Sequence, residues 1–113
     1  MLTKIYFYKT SSGKEIVINE INNLDSQSIV KTRNAIRLFE EYGLSLINTK
    51  WVKKIYKKPT LFELRITGNK QIRILFSEIS SNKYLFTNIF VKKSRKTPTK
   101  EIETAVKRLN EFI

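Results

Sequence analysis

The chain reads as an α+β fold: an antiparallel β-sheet with two N-terminal helices packed on one face and a C-terminal helix. Three observations predict this. Apolar residues recur at helical spacing between residues 14 and 42, and apolar runs alternate around turn residues between 61 and 92. A last helical stripe follows, from 102 to 112. Helices first and strands afterwards put the helices on one side of the sheet and leave the other side for other work. The 113 residues suit a single domain over 1–113, since domains run to roughly 100–150 residues.

The elements follow in order. Ile5 to Tyr8 is an apolar-aromatic run stopped by Thr10-Ser11-Ser12-Gly13, which suits an opening strand. Val17, Ile18, Ile21 and Leu24 then predict a helix from Lys14 to Asn22, with Ser11 or Ser12 as N-cap. Asp25 caps a longer helix from about Ser26 to Tyr42, whose stripe is Ile29, Ile36 and Phe39 and whose stop is Gly43. Leu44 to Lys50 reads as a loop. Leu61–Thr67 and Lys70–Ile79 alternate around Gly68-Asn69 and predict a hairpin. Ser80-Ser81-Asn82 turns the chain into a third strand, Tyr84 to Lys92. Thr97 or Thr99, with Pro98, opens the closing helix, and Ile102, Ala105, Val106, Leu109 and Phe112 form its stripe.

Composition narrows the chemistry. There is no cysteine, which excludes a disulfide scaffold, a thiolate nucleophile and Cys-based metal sites. There is no histidine, which excludes a Ser-His triad and an imidazole base. We therefore expect no metal and no cofactor. The start of the chain is unlike a signal peptide, and no apolar run approaches the ~18 residues of a membrane span, so a cytoplasmic protein without a membrane partner is expected. Twenty-two Lys and Arg against ten Asp and Glu give a net charge of +12, more than the magnitude of about 2–8 that solubility needs. Such a charge points to a polyanionic partner, nucleic acid above all.

Parity says where that partner sits. Phe62, Leu64 and Ile66, with Ile72, Ile74 and Phe76, share the core face. Glu63, Arg65 and Arg73 project from the opposite face, which is expected to meet solvent. Lys92, Lys93, Arg95 and Lys96 gather where the last strand ends; Lys53, Lys54, Tyr56, Lys57 and Lys58 gather before Leu61, in a loop long enough to fold over that face. Two arginines ringed by lysines and a tyrosine suit a bent phosphate backbone with a base stacked on the ring. The plainer alternative is ordinary cross-strand ion pairing on a wet surface. Alternation does not choose between Lys92 and Lys93, because Phe86 and Phe90 on one parity, and Leu85, Ile89 and Val91 on the other, both look buriable.

Leu61-Phe62-Glu63-Leu64-Arg65, Arg73-Ile74-Leu75-Phe76, Phe90-Val91-Lys92-Lys93, Thr97-Pro98 and Glu101-Ile102-Glu103 with Ala105 occur in an order and spacing that span the chain. In these residues, and in the helix ending Glu41-Tyr42-Gly43, the chain resembles toxins of the RelE/ParE superfamily, within it the HigB-like, phage-derived branch. The resemblance implies a RelE-like fold and the toxin of a type II toxin-antitoxin system. It implies a ribosome-dependent mRNA endoribonuclease, held by a cognate antitoxin that carries a helix-turn-helix DNA-binding fold. Ribosome and mRNA would be its working partners.

The implied reaction suits a chain without histidine, because RNA supplies its own 2′-hydroxyl nucleophile. The protein need only orient it, accept a proton and stabilise the phosphorane. Arg65 and Arg73 would clamp the phosphate, Lys92 or Lys93 would supply charge or a general acid, and a lysine among cations would be the base; Glu63 would compete as base or, rather, hold Arg65 or Arg73 in register. Lys53, Lys54, Tyr56, Lys57, Lys58, Arg95 and Lys96 would bind RNA. Asn88 stands where some relatives carry a histidine, and the gyrase-directed branch shares the fold without the nuclease residues. Two alternatives therefore stand beside the nuclease: a non-catalytic toxin acting on a protein such as gyrase, and a basic RNA-binding accessory domain.

Overall fold

The computed structural model describes residues 3–112. Its elements are β1 (Lys4–Phe7), α1 (Ile16–Asn22), α2 (Ser26–Tyr42), a 3₁₀ turn (Gly43–Leu46), β2 (Val52–Tyr56), β3 (Leu61–Thr67), β4 (Gln71–Ser80), β5 (Lys83–Val91) and α3 (Thr99–Phe112). The strands lie in the order β1-β5-β4-β3-β2. The fold is α+β, compatible with a RelE-like fold. The sheet, however, is mixed: β2 to β5 form an antiparallel meander, while β1 runs parallel to β5. The helices that follow β1 carry the chain to the far edge, and four antiparallel strands then return it to β5 in the direction of β1.

The long helix forms as its sequence dictates. Asp25 accepts from the Ser28 backbone N–H at 3.1 Å and from the Ser28 hydroxyl at 2.7 Å, which satisfies an amide left over at the helix start. Gly43 ends α2 with φ +56° and donates its N–H to the Phe39 carbonyl. A Cβ there would come 2.7 Å from the Thr3 hydroxyl, so both the dihedral and the close approach require glycine. The shorter helix departs from expectation. It begins at Ile16 behind Glu15, with no side-chain cap. The hydroxyls expected to cap it close a turn of their own: Thr10 Oγ1 meets Ser12 Oγ and accepts from Lys14 N–H, both at 3.0 Å. The stretch expected to be a loop from Leu44 begins inside the 3₁₀ turn Gly43–Leu46.

Two cores sandwich the sheet. On one face Phe39 of α2 packs its ring 4.7 Å from Phe76, 5.1 Å from Tyr84 and 5.8 Å from Phe86. On the other face lies α3, which packs on β4 and β5 and whose Arg108 donates to the Thr87 carbonyl at 2.9 Å. The second face is therefore not left free; only its end beyond α3 is open. A bulge explains why both parities of β5 look buriable. Leu75 pairs with Asn88 but Phe76 pairs with Phe86, so Thr87 is the extra residue and the parity of β5 flips there. No helix among the described residues is long and apolar enough to cross a membrane.

The cap gives a pH prediction. The hydrogen bonds from the Ser28 side chain and backbone, then Lys70 at 3.2 Å, hold the Asp25 carboxyl at about 2, below its ordinary 3.8. A carboxyl lowered in the folded state contributes stability above its unfolded value and loses it as pH falls through the folded one. Asp25→Ala should therefore lower the urea midpoint at pH 6. The gap to wild type should close between pH 4 and pH 2. A gap unchanged down to pH 2 would contradict the charged cap.

Candidate nucleic-acid interface

Strand register builds the site. Lys53 of β2 lies across from Glu63 of β3, and Arg65 of β3 lies across from Arg73 of β4, which in turn lies across from Phe90 of β5. These residues share the face that carries α3. Two arginines directly opposite one another repel. Glu63 resolves the conflict: its Oε1 accepts from Arg65 Nε at 3.3 Å and lies 3.5 Å from Arg73 Nε. Its Oε2 accepts from the Thr97 hydroxyl at 2.6 Å. The carboxylate is 0% exposed and Arg73 only 8%, while the Arg65 side chain is 28% exposed. The expectation that all three face solvent is thus corrected. Glu63 and Arg73 line a cleft, with Arg65 held beside it by Glu63, because α3 and the segment before it close over Glu63.

Arg73 is gripped from its own strand as well. Its Nη1 donates to the Ile72 carbonyl at 2.9 Å and its Nη2 to Gln71 Oε1 at 3.4 Å, while its buried Nε–H has no well-angled acceptor. Burial, opposed by Glu63 and helped by Arg65, lowers its pKa. A guanidinium stays charged at neutral pH even so.

Over Glu63 and Arg73 lie two adjoining hollows. One, of about 350 Å³, has Glu63 and Thr97 beneath Lys53, Lys54, Lys92, Arg95 and Lys96. The other, of about 560 Å³, is lined by Gln71, Arg73, Lys92, Lys93, Ser94 and Arg95. Lys92 and Arg95 line both, so the two form one basic cleft. Lys92 also answers the question that alternation left open. Its backbone N–H donates to the Gln71 carbonyl at 2.7 Å, which extends the ladder by one residue and aligns Lys92 in parity with Phe90 and Arg73. Lys92 is half-buried and Lys93 is exposed. Burial lowers the Lys92 pKa; Glu63 opposes this, and Arg73, Arg65 and Lys53 reinforce it.

The cluster before Leu61 is not a loop that folds over the face. It is β2, an edge strand, and Lys53 reaches the cleft through direct pairing. Tyr56, Lys57 and Lys58 sit at the β2–β3 turn and line neither hollow. Asn88 is also away from the cleft. Its side-chain amide donates to Glu101 Oε1 at 2.9 Å and to the Glu101 carbonyl at 3.2 Å, fastening β5 to α3. Thr97 is the member that sequence reasoning missed, having been read as a helix cap. Its only signal was a hydroxyl directly before a proline, a position two residues short of α3.

A family model described as phage-derived protein Gp49-like (DUF891) matches residues 19–110. No curated protein matches the chain.

The buried carboxylate gives a stability prediction. Glu63→Ala leaves two arginines without their counter-ion and should lower the unfolding free energy by about 3–5 kcal/mol. Thr97→Val removes one hydrogen bond to a charged group and should cost about 1.5–3 kcal/mol, with Thr97→Ser near wild type. Urea unfolding of the three variants checks this. A Glu63→Ala protein as stable as wild type would contradict the support role.

Proposed function

The chain belongs to the phage-derived Gp49-like family, a family of RelE/ParE-like toxins, and we propose that it is the toxin of a toxin-antitoxin pair that cleaves mRNA on the ribosome. We assign it to the HigB-like branch on Arg73-Ile74-Leu75-Phe76 and the sequence of the closing helix. The observation that carries the reading is the arginine pair on a shared buried carboxylate, with Glu63 and Arg73 lining a cleft walled by lysines.

The chemistry follows from those groups. Arg65 and Arg73 bind the non-bridging oxygens of one phosphate, and their charge offsets the second negative charge that develops in the phosphorane. Lys92, its pKa lowered, takes the proton of the 2′-hydroxyl as that oxygen bonds to phosphorus. The bond to the 5′ oxygen breaks, leaving a 2′,3′-cyclic phosphate, and the departing oxygen takes a proton from Lys93 or water. Glu63 is sealed beneath the arginines and acts by fixing their geometry. Lys53, Lys54, Arg95 and Lys96 hold the flanking phosphates. The ribosome supplies the bend in the message, and a cognate antitoxin silences the protein.

Translation of a defined mRNA, followed by mapping of its 5′ ends, tests the proposal. Wild type should cut the message during translation and leave naked RNA nearly intact. Arg73→Ala should lose about 10²- to 10³-fold in rate while remaining folded. Arg73→Lys should also be impaired, because a point charge does not replace a planar fork. Arrest with intact mRNA would sink the nuclease reading and favour a protein target. Rapid cleavage of naked RNA would remove the ribosome from the mechanism.

A further inference from the structure

Beside the cleft, at the open edge of β2 and β3, is a second cavity of about 240 Å³. Its walls are Lys31 and Asn34 of α2, Lys50 and Trp51 before β2, and Arg65 and Ile66 of β3. Trp51 is half-buried, and its indole N–H has no hydrogen-bond partner among the described residues. Lys50 Nζ sits 5.1 Å from the indole centroid. Lys31 reaches across Gly68, where a Cβ would come 2.6 Å from its Nζ. No carboxylate lines the cavity.

Arg65 joins this cavity to the cleft. Its backbone N–H donates to the Trp51 carbonyl at 2.8 Å, which sets Trp51 directly across from Arg65, and both line the cavity. Its Nε is held by Glu63, and its two terminal amino groups have no partner among the described residues. Arg65 thus connects the wall of the aromatic cavity to the carboxylate that lines the cleft.

We propose that this cavity is a base-binding subsite, in which an unpaired nucleobase of the RNA stacks on Trp51 while Arg65 holds the adjoining phosphate and Lys31 and Lys50 the next. The proposal rests on the reading that the cleft takes RNA, and it adds a subsite with its own contacts. A flat ring system attached to an anion is what an indole, an isoleucine wall and three cations fit together. An acidic peptide supplies the charge without the ring. The volume lies below the ~300–1,000 Å³ of pockets that enclose a drug-sized ligand, so it suits one base with its phosphate outside. The ammonium on the indole is no obstacle: an exposed cation–π contact is weaker than base–aromatic stacking, so a base displaces it and frees the lysine for phosphate.

Trp51 is the one tryptophan in the chain, so its fluorescence reports this cavity alone. The probe is a short, labelled, single-stranded 2′-O-methyl oligonucleotide, which binds but is not cut. Label anisotropy should show binding and Trp51 emission should fall in parallel. Trp51→Ala should weaken binding between about 5-fold and about 150-fold, and Trp51→Phe should retain part of the affinity. Circular dichroism checks that both variants fold. On translating ribosomes, Trp51→Ala should shift the positions or lower the rates of cleavage. Binding without quenching, with Trp51→Ala as tight as wild type, would overturn the subsite. So would equal quenching by inorganic polyphosphate or an acidic peptide, which carry the charge without the ring. Unchanged cleavage positions and rates in Trp51→Ala would overturn it and leave the nuclease reading intact. If wild type neither binds the oligonucleotide nor cuts mRNA, the nuclease reading fails and the subsite with it.

Discussion

The carboxylate of Glu63 is the interaction on which the rest of the site depends. Register sets Arg65 and Arg73 directly opposite one another on adjacent strands, an arrangement that repels. One oxygen of Glu63 answers both guanidinium groups, and the other takes the Thr97 hydroxyl. The carboxylate therefore ties β3 to β4 and ties both to the segment that leads into α3. Burying an ion is costly, and the hydrophobic alternative is often as stable. A buried carboxylate here makes physical sense for what it positions: two forks aimed at one end of a sheet face, with a lysine-lined cleft above them.

The second face of the sheet works because α3 covers only part of it. Asn88 fastens to Glu101 near the start of α3, and Arg108 fastens to the Thr87 carbonyl farther along. The bulge at Thr87 lets β5 serve both faces at once. Phe86 and Ile89 pair with Phe76 and Ile74 on the α2 side, while Asn88 and Phe90 pair with Leu75 and Arg73 on the α3 side. Without the extra residue, Phe86 would share a face with Phe90 and Asn88, and the ring cluster around Phe39 would lose a member. The packing of the core and the exposure of the cleft are thus set by the same local insertion.

Much of this was legible in the sequence wherever a local rule decides. Asp25 and Gly43 bound the long helix, and the alternation around Gly68-Asn69 marks the central hairpin; the chemistry of these positions is contained within a few residues. β2 was not legible. Its apolar residues, Val52 and Ile55, fall out of alternation across the irregularity between Lys54 and Tyr56, and its lysines look like a solvated loop. The parallel pairing of β1 was equally hidden, because nothing in Lys4–Phe7 encodes the direction of a strand that arrives some eighty residues later. Within the site, parity gave Glu63, Arg65 and Arg73 a common face. Their depth depends on what α3 covers, and that is decided by long-range packing. Thr97 was missed for the same reason, since its partner lies 34 positions away.

Electrostatics joins folding to binding in this protein. Around the cleft, Arg65, Arg73 and Lys92 share one carboxylate, and Lys53 and Arg95 add to the excess. The lowered pKa of both Lys92 and Arg73 arises first from burial, which Glu63 opposes and neighbouring cations reinforce. On the proposed reading, a phosphate anion in the cleft would offset the positive charge that Glu63 alone leaves uncompensated. Burial first, and the neighbouring cations after it, hold the Lys92 pKa below that of an isolated lysine. On the same reading, the lysine that would accept a proton and the arginines that would hold a phosphate are set by one arrangement of burial and charge, so a substitution at any one of them would disturb both roles together.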